Sequence, residues 1–495
     1  MKKRILALSL AGLMTVSLAG CKSEKTTEEN TANNAEKTTT SSTATKGSPL
    51  FTGQLEENVT IHVLENDTAI SKGYFKELID AFNEAYKDKG ITAVDANMDQ
   101  YLDLANDGPY GYGPDVLYQA NDVIMQYVEE KHILPLPLDQ FDLCDQIPES
   151  AWKAYQTTID GQTYTCGIPV NVQTPMLYYR KDLLPSNWAA EWDKDADNVP
   201  DMAESWTEMY NYSKKVHEED ASKYGYMKSL NDMYFSSGFL FSYGGYIFGN
   251  NNTDPSDIGF SAGEAEKGAN VLAQLASQMN EDCIDDTITT NAYSKLADGT
   301  YFATISTPDV YSTFRGELVN KYQEEGKSQA EAEKLADENL VMTTLPKLPE
   351  SGDLTDGSKA ELASKTMGGV NGYAISSYTK VPNASLEFVK FATSYEMIKK
   401  RADLLGIAPA RKDVAAEVGG VSEEIYNNLE EGNIYLMPSI KEVSQIWTPG
   451  KTFFTDLAKD VYRSDSEKKY KDTASMKKGL EEVCKQINDA ITTLQ

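Results

Sequence analysis

The densest run of groups able to do chemistry is Asp193-Lys-Asp195-Ala-Asp197-Asn198-Val199-Pro-Asp201-Met-Ala-Glu204. Carboxylates fall at positions one, three, five, nine and twelve of this loop, and the Val199 main-chain carbonyl stands at position seven. Oxygens that wrap a hard cation need this short acidic alternation, because without the metal the carboxylates repel one another. The loop is expected to hold structural calcium through Asp193, Asp195, Asp197, Val199, Asp201 and Glu204, with Asn198 supplying the left-handed turn. Pro200 stands where paired helix–loop–helix sites prefer a branched apolar residue, so a lone loop that stiffens the surface is expected. The competing account is an acidic surface loop without a cation.

Other chemistry is thinner. The three histidines (His62, His132, His217) are scattered and lack metal-ligand spacing, which weighs against a serine hydrolase or a zinc enzyme. Tyrosine is abundant, 29 against 15 phenylalanines, and its flat apolar face with a polar tip suits polar, ring-shaped ligands. A formal net charge of −30 argues against nucleic acid and against polyanionic substrates; it fits a solvated acidic surface. Cys144, Cys166, Cys283 and Cys484 read as structural, and neither a pairing nor free thiols can be chosen from the sequence.

These groups must be positioned by a long chain: 495 residues exceed one core, so two or three domains are expected. Residues 1–20 read as a signal peptide, with basic Met1-Lys-Lys-Arg4 followed by an apolar Ile5–Leu18 stretch too short to span a membrane comfortably. Leu18-Ala19-Gly20-Cys21 resembles the bacterial lipobox, which implies cleavage before Cys21 and a lipid anchor on it. Residues 21–54 then form a polar, disordered tether.

From Leu55 onward, strand and helix patterns alternate. Val59–Leu64 alternates as a half-buried strand, and Phe75, Leu78, Ile79, Phe82 and Tyr86 recur at helical spacing over Gly73–Lys87. Asp115–Tyr118 reads as a short buried strand followed by a helix. Tyr301–Ile305 is another strand, and Glu317–Leu340 a charged, solvated helical insert. The run from Gly167 to Pro185 is apolar at both ends and polar at Asn171, Gln173 and Thr174. Such a strand suits a crossing between two lobes, where water and ligand reach its centre.

In order and spacing, several segments resemble the extracellular solute-binding proteins of ABC sugar importers, in their maltodextrin-binding branch. They are Gly113-Pro-Asp-Val-Leu, Ile168-Pro with Leu177-Tyr-Tyr-Arg-Lys-Asp-Leu, Tyr243-Gly-Gly-Tyr, Leu296-Ala-Asp-Gly-Thr-Tyr-Phe-Ala-Thr-Ile and Gly369-Val-Asn-Gly-Tyr-Ala-Ile-Ser. The resemblance spans residues 55–495. It implies an α/β class and a two-lobed periplasmic-binding-protein-like fold, with hinge crossings and a central ligand cleft. The lobes implied are residues 55–170 with 346–400, and 171–345 with 401–495.

A sugar offers hydroxyls on its rim and apolar C–H faces, so its site wants flat rings and oxygen acceptors. By the resemblance, Asp67 and Asp122 fall on acidic contacts, and Gln173 on a glutamate of the crossing strand. Asp232 and Tyr234 match an acid and a tyrosine from the second lobe, Tyr311 falls on a tryptophan position, and Trp447 matches a stacking tryptophan. Gln119 and Asp309 depart from the pattern by replacing tryptophans. Asp122 has a simpler account as a helix cap. Tyr234 also has one, as a core residue.

The expectation is a monomeric, non-enzymatic lipoprotein outside the bacterial cell membrane, delivering malto-oligosaccharide to the permease of an ABC importer by lobe closure. One rival is a surface glycoside hydrolase, which needs only two placed carboxylates. The other is a protein of the same fold for a peptide, a polyamine or another oligosaccharide.

Overall fold

The run from Ile168 to Arg180 follows one path but makes two strands in two different sheets. Ile168–Gln173 and Met176–Arg180 are separated by Thr174-Pro175. Pro175 has no N–H to give to a ladder, so the first pairing ends there and the chain passes into the second sheet. The expected single crossing strand is therefore a broken one. Thr174 and Thr366 share a hydrogen bond between their hydroxyls, 2.6 Å, at the break. This computed structural model describes residues 47–99, 102–159, 161–357 and 360–494; residues 1–20, Cys21 and the tether up to residue 46 lie outside them.

The first sheet has seven strands among the described residues. Their order is Ala408–Pro409, Ile168–Gln173, Thr366–Ile375, Val116–Ala120, Thr60–Leu64 and Thr92–Asp95, with Ile434–Leu436 alongside Thr366–Gly368. Thr60–Leu64 is parallel to both its neighbours, as a strand–helix–strand chain requires. The connecting helix, Tyr74–Ala85, buries Tyr74, Phe75, Leu78 and Phe82 on one face. Each such side chain stabilises the fold by about 1.5–3 kcal/mol through lost apolar surface. Thr366–Ile375 returns antiparallel between Val116–Ala120 and Ile168–Gln173. Gly372 lies so near the Ile168 carbonyl that a Cβ there would overlap it.

The second sheet runs Leu340–Thr343, Met176–Arg180, Tyr301–Ser306, Tyr224–Tyr226. Helix Met233–Ser242 reaches from this half to the hinge strand, where Gly238 abuts the Lys365 carbonyl with no room for a Cβ. Helices Trp447–Tyr462 and Thr473–Leu494 pack on Ala265–Ala276 in the same half.

Three expected boundaries move. Residues 47–54, the end of the expected tether, are held by the fold: the Ser48 N–H donates to the Pro135 carbonyl at 2.8 Å and the Gly53 N–H to Asn383 Oδ1 at 3.0 Å. Phe51 and Leu55 supply the apolar grip. Residues 401–436, expected in the second lobe, belong with the first sheet. Ala408–Pro409 pairs with Val172 and Asn171, and Ile434–Leu436 with Thr366–Gly368. Arg401 explains why: its guanidinium grips Glu65 through two bonds of 2.9 Å and lies 3.8 Å from the Tyr118 ring centroid, all inside the first lobe. The expected insert 317–340 is two helices, Tyr311–Glu324 and Gln329–Asn339. Gly326 at φ +91° ends the first, and a Ser328–Glu331 capping box starts the second.

The four cysteines among the described residues are free. Burial pushes the Cys166 thiol up to about 12 and the Cys283 thiol to about 11, so both are inert packing groups.

Candidate functional site

One wall of the site is made by strand ends of the first sheet. Near the end of Val116–Ala120, Gln119 is half-buried opposite Gly372, and the Gln119 carbonyl accepts the Tyr155 hydroxyl at 3.2 Å. The next helix, Asn121–Glu129, opens with Asp122 in its first turn. Burial pushes the Asp122 carboxyl above the ordinary aspartate range, only partly opposed by its own N–H and that of Val123. Its Oδ1 is buried and has no hydrogen-bond partner. The same is true of Gln173 Oε1, at the end of the crossing strand. Asp67 is exposed on the first turn of helix Asp67–Ser71, where Asn66 does the capping by accepting the Ala69 N–H at 2.8 Å.

The other wall comes from exit loops of the second sheet. Asp232 caps helix Met233–Ser242, accepting the Tyr234 N–H at 3.2 Å. Burial pushes its carboxyl up, and Lys228 pulls it down by less. Asp309 sits in the turn Pro308–Val310 beyond strand Tyr301–Ser306, and its Oδ1 is again buried without a partner.

Tyr234 ties the two walls together. Its hydroxyl is held well above the usual tyrosine value by burial first, then by Asp309, Asp232 and Asp122. Asp122 belongs to the first wall and the other two acids to the second, so one ring senses both. Trp447 begins helix Trp447–Tyr462 and is half-buried. Lys451, one turn further along the same face, acts on Asp232, which brings that helix end to the site. Tyr311 is drawn the other way: its ring is 6.4 Å from Tyr178, and its charged neighbours are Asp337 and Arg315.

An unpartnered buried oxygen costs about 1–3 kcal/mol, so a cluster of them points to a ligand that completes them. Asp122 Oδ1 and Asp309 Oδ1, both close enough to Tyr234 to act on it, are two such oxygens, and Gln173 Oε1 and Asn231 Oδ1 are likewise buried without a partner. Asn231 and Lys228 went unnoticed in the sequence. Their signal was the polar run Lys228-Ser229 and Asn231-Asp232 at a strand exit inside the most aromatic stretch of the chain. A separate cavity of about 780 Å³, between Glu149–Lys153, Tyr246–Asn252 and Ile434–Leu436, contains none of these residues.

The acidic loop also closes on itself. Ligand oxygens of Asp193, Asp195 and Asp197 lie within 4.8 Å of one another, as do those of Asp195, Asp201 and Glu204. Asn198 has φ +68° as expected, and Ala196 at φ +63° shares the left-handed bend. Asp193 accepts the Asp197 and Asn198 N–H groups at 3.1 and 3.3 Å, and Asp197 accepts that of Val199 at 2.7 Å. Burial and then Asp197, Asp195 and Asp201 push the Glu204 carboxyl up, the repulsion that a cation would relieve. Lys347 pulls Glu204 down by less, and the Lys194 ammonium pairs with Asp201 at 3.2 Å.

Comparison with known proteins finds relatives by sequence and a shared fold. The family model described as bacterial extracellular solute-binding protein matches residues 77–428. A galactooligosaccharide-binding protein of Bacillus subtilis is 26% identical over 80% of this chain and 84% of its own length. The maltodextrin-binding protein MdxE of the same organism is 24% identical over 78% and 83%. A maltooligosaccharide ABC transporter solute-binding lipoprotein of Streptococcus pneumoniae is 22% identical over 80% and 84%. Among solved structures, the maltose-binding protein MalE of Listeria monocytogenes, in complex with maltose, superposes with a TM-score of 0.66 at 21% identity, covering 88% of this chain and 98% of that one.

Proposed function

The chain belongs to the bacterial extracellular solute-binding proteins, and on that premise we propose that it captures a malto-oligosaccharide between its two walls and hands it to an ABC importer. It binds and releases its ligand without changing it. The observation that carries this reading is the pair of buried, unpartnered oxygens, Asp122 Oδ1 on one wall and Asp309 Oδ1 on the other, whose carboxyls both act on Tyr234. A neutral sugar supplies hydroxyls to Asp122, Gln173, Asp232 and Asp309 and a C–H face to Tyr234 and Trp447. Ligand that satisfies both walls at once stabilises the closed arrangement over the open one. Asp67, Gln119 and Tyr311 take outer positions in this scheme.

A galacto-oligosaccharide is the second reading, favoured by the galactooligosaccharide-binding relative. Calorimetric titration of the mature chain with maltose, maltotetraose and a galacto-oligosaccharide separates the two. Heat with none of them removes the sugar assignment. Incubation with maltoheptaose should leave it uncut, and shorter products would make the chain a hydrolase.

Two further assignments belong to the same reading. Cys21 carries the lipid that keeps the protein at the outer face of the cell membrane, in keeping with the lipoprotein named among the relatives. Replacing Cys21 by Ala should release the protein to the medium. Calcium is held by Asp193, Asp195, Asp197, the Val199 carbonyl, Asp201 and Glu204. This donor set of hard oxygens fits the ion, and the ion would cross-link the loop and neutralise its mutual repulsion.

A further inference from the structure

Lys228 is a charged residue where the fold has no evident need of one. It follows strand Tyr224–Tyr226, and the backbone around it is clamped. The Met227 N–H donates to the Ala303 carbonyl at 3.1 Å, the Thr304 hydroxyl to the Met227 carbonyl at 2.8 Å, and the Leu230 N–H to the Cys283 carbonyl at 2.8 Å. The residue is only 6% exposed. The ammonium nitrogen lies 3.4 Å from the Phe235 ring centroid, and Phe235 meets Tyr234 edge-on at 5.3 Å. Among the described residues no hydrogen-bond acceptor of Lys228 is found, and no carboxylate comes within ion-pair distance of it. A ring face satisfies one direction of an ammonium group, and three N–H donors need more.

The acceptor that is missing on Lys228 is matched by a donor missing next door. Asn231, 3% exposed, gives its Nδ2 to Asp286 at 3.1 Å, which leaves Oδ1 buried and unpartnered. Asp232 completes the group with its second carboxylate oxygen.

We propose that Lys228 is a ligand-contacting residue: its ammonium donates to one sugar hydroxyl oxygen, whose own hydrogen is accepted by the Asn231–Asp232 pair. A hydroxyl both accepts and donates at one atom, which neither a carboxylate nor an ammonium group does. The neighbouring acids Asp122, Asp232 and Asp309 outnumber Lys228, so the arrangement selects a neutral polyol over an anionic ligand. Burial lowers the Lys228 ammonium to about 8, with Asp232 opposing, so it is mostly charged at neutral pH. Asp286 and Lys451 act on Asp232 in turn. The inference rests on the saccharide reading of the cleft.

The test is calorimetry of the mature chain and of Lys228→Met and Lys228→Gln with maltotetraose, the galacto-oligosaccharide and a series of monodeoxy maltoses. Methionine fills the same volume without the charge, so the variant should melt no lower than the parent. Its affinity should fall by about tenfold or more, the value of a hydrogen bond to a charged group. One deoxy position should cost the parent a similar factor and the variants nothing. Parent affinity should also fall as pH rises past 8, because the ammonium is the donor form, while Lys228→Met stays flat. Folded variants that bind as tightly as the parent overturn the proposal. A parent chain that binds no saccharide has a different signature, and then the inference falls together with the sugar reading.

Discussion

At the residue scale the site is a problem of unpaired oxygens. Asp122 and Asp232 are pushed up by burial, and ligand hydroxyls that donate to their ionised forms pull them back down. Sugar binding should therefore release protons in weakly acidic solution, and affinity should fall as pH drops through the raised carboxyl values. The stability of the free chain runs the other way. Its unfolded state ionises these acids at lower pH, so stability falls as pH rises through the same window. Titrations between pH 4.5 and 7.5 in buffers of different ionisation heat read the proton release, and affinity that ignores pH across that range would rule the carboxylates out as acceptors. Trp447→Ala should weaken maltotetraose binding about tenfold while the melting temperature stays put, since the ring is half-buried at a helix start. Unchanged affinity removes it from the site.

At the element scale, two local devices set what the chain can withstand. The Glu65–Arg401 pair is fully buried, further bonded by the Tyr373 hydroxyl at 2.6 Å, and it docks helix Tyr395–Leu405 on the first sheet. Arg401→Met leaves the buried Glu65 carboxylate without its cation and should cost about 3–5 kcal/mol in urea unfolding; making Glu65 methionine as well should recover much of it. An Arg401→Met chain as stable as the parent would mean that the pair does not anchor this helix. The acidic loop 193–204 should respond to calcium. At a hundredfold excess over its dissociation constant the ion would add about 2.7 kcal/mol to stability, which EGTA removes and Asp195→Ala abolishes. A chain with no calcium by elemental analysis and no melting shift on adding it holds an ordinary acidic loop.

At the scale of the whole molecule, closure is carried by few connections. The break at Thr174-Pro175, the start of Thr366–Ile375 and the stretch from Ile434–Leu436 to helix Trp447–Tyr462 carry the chain between the two halves, with Gly238 seated tightly against Lys365 beside them. Few covalent crossings make a hinge. Saturating maltotetraose should reduce the radius of gyration seen by X-ray scattering, and superimposable profiles with and without sugar would exclude closure as the transported signal.

Much of this was legible in the residue string because it is local. The amphipathic helix 74–85, the strands 60–64, 116–120 and 301–306, and the oxygen spacing of 193–204 are patterns of consecutive residues, and backbone periodicity translates them directly. What escaped was set by distant segments. Strands as short as Ala408–Pro409 and Ile434–Leu436 carry no period, so the return of residues 401–436 to the first sheet depended on Arg401 finding Glu65. A lysine in a sequence reads as solvated, and only the closing of Phe235 and its neighbours over Lys228 made it a buried donor. The string determined which groups exist and which elements carry them. The tertiary structure decided which of their oxygens and nitrogens lost water without gaining a partner, because desolvation is imposed by whatever packs overhead, however far away it lies in the chain.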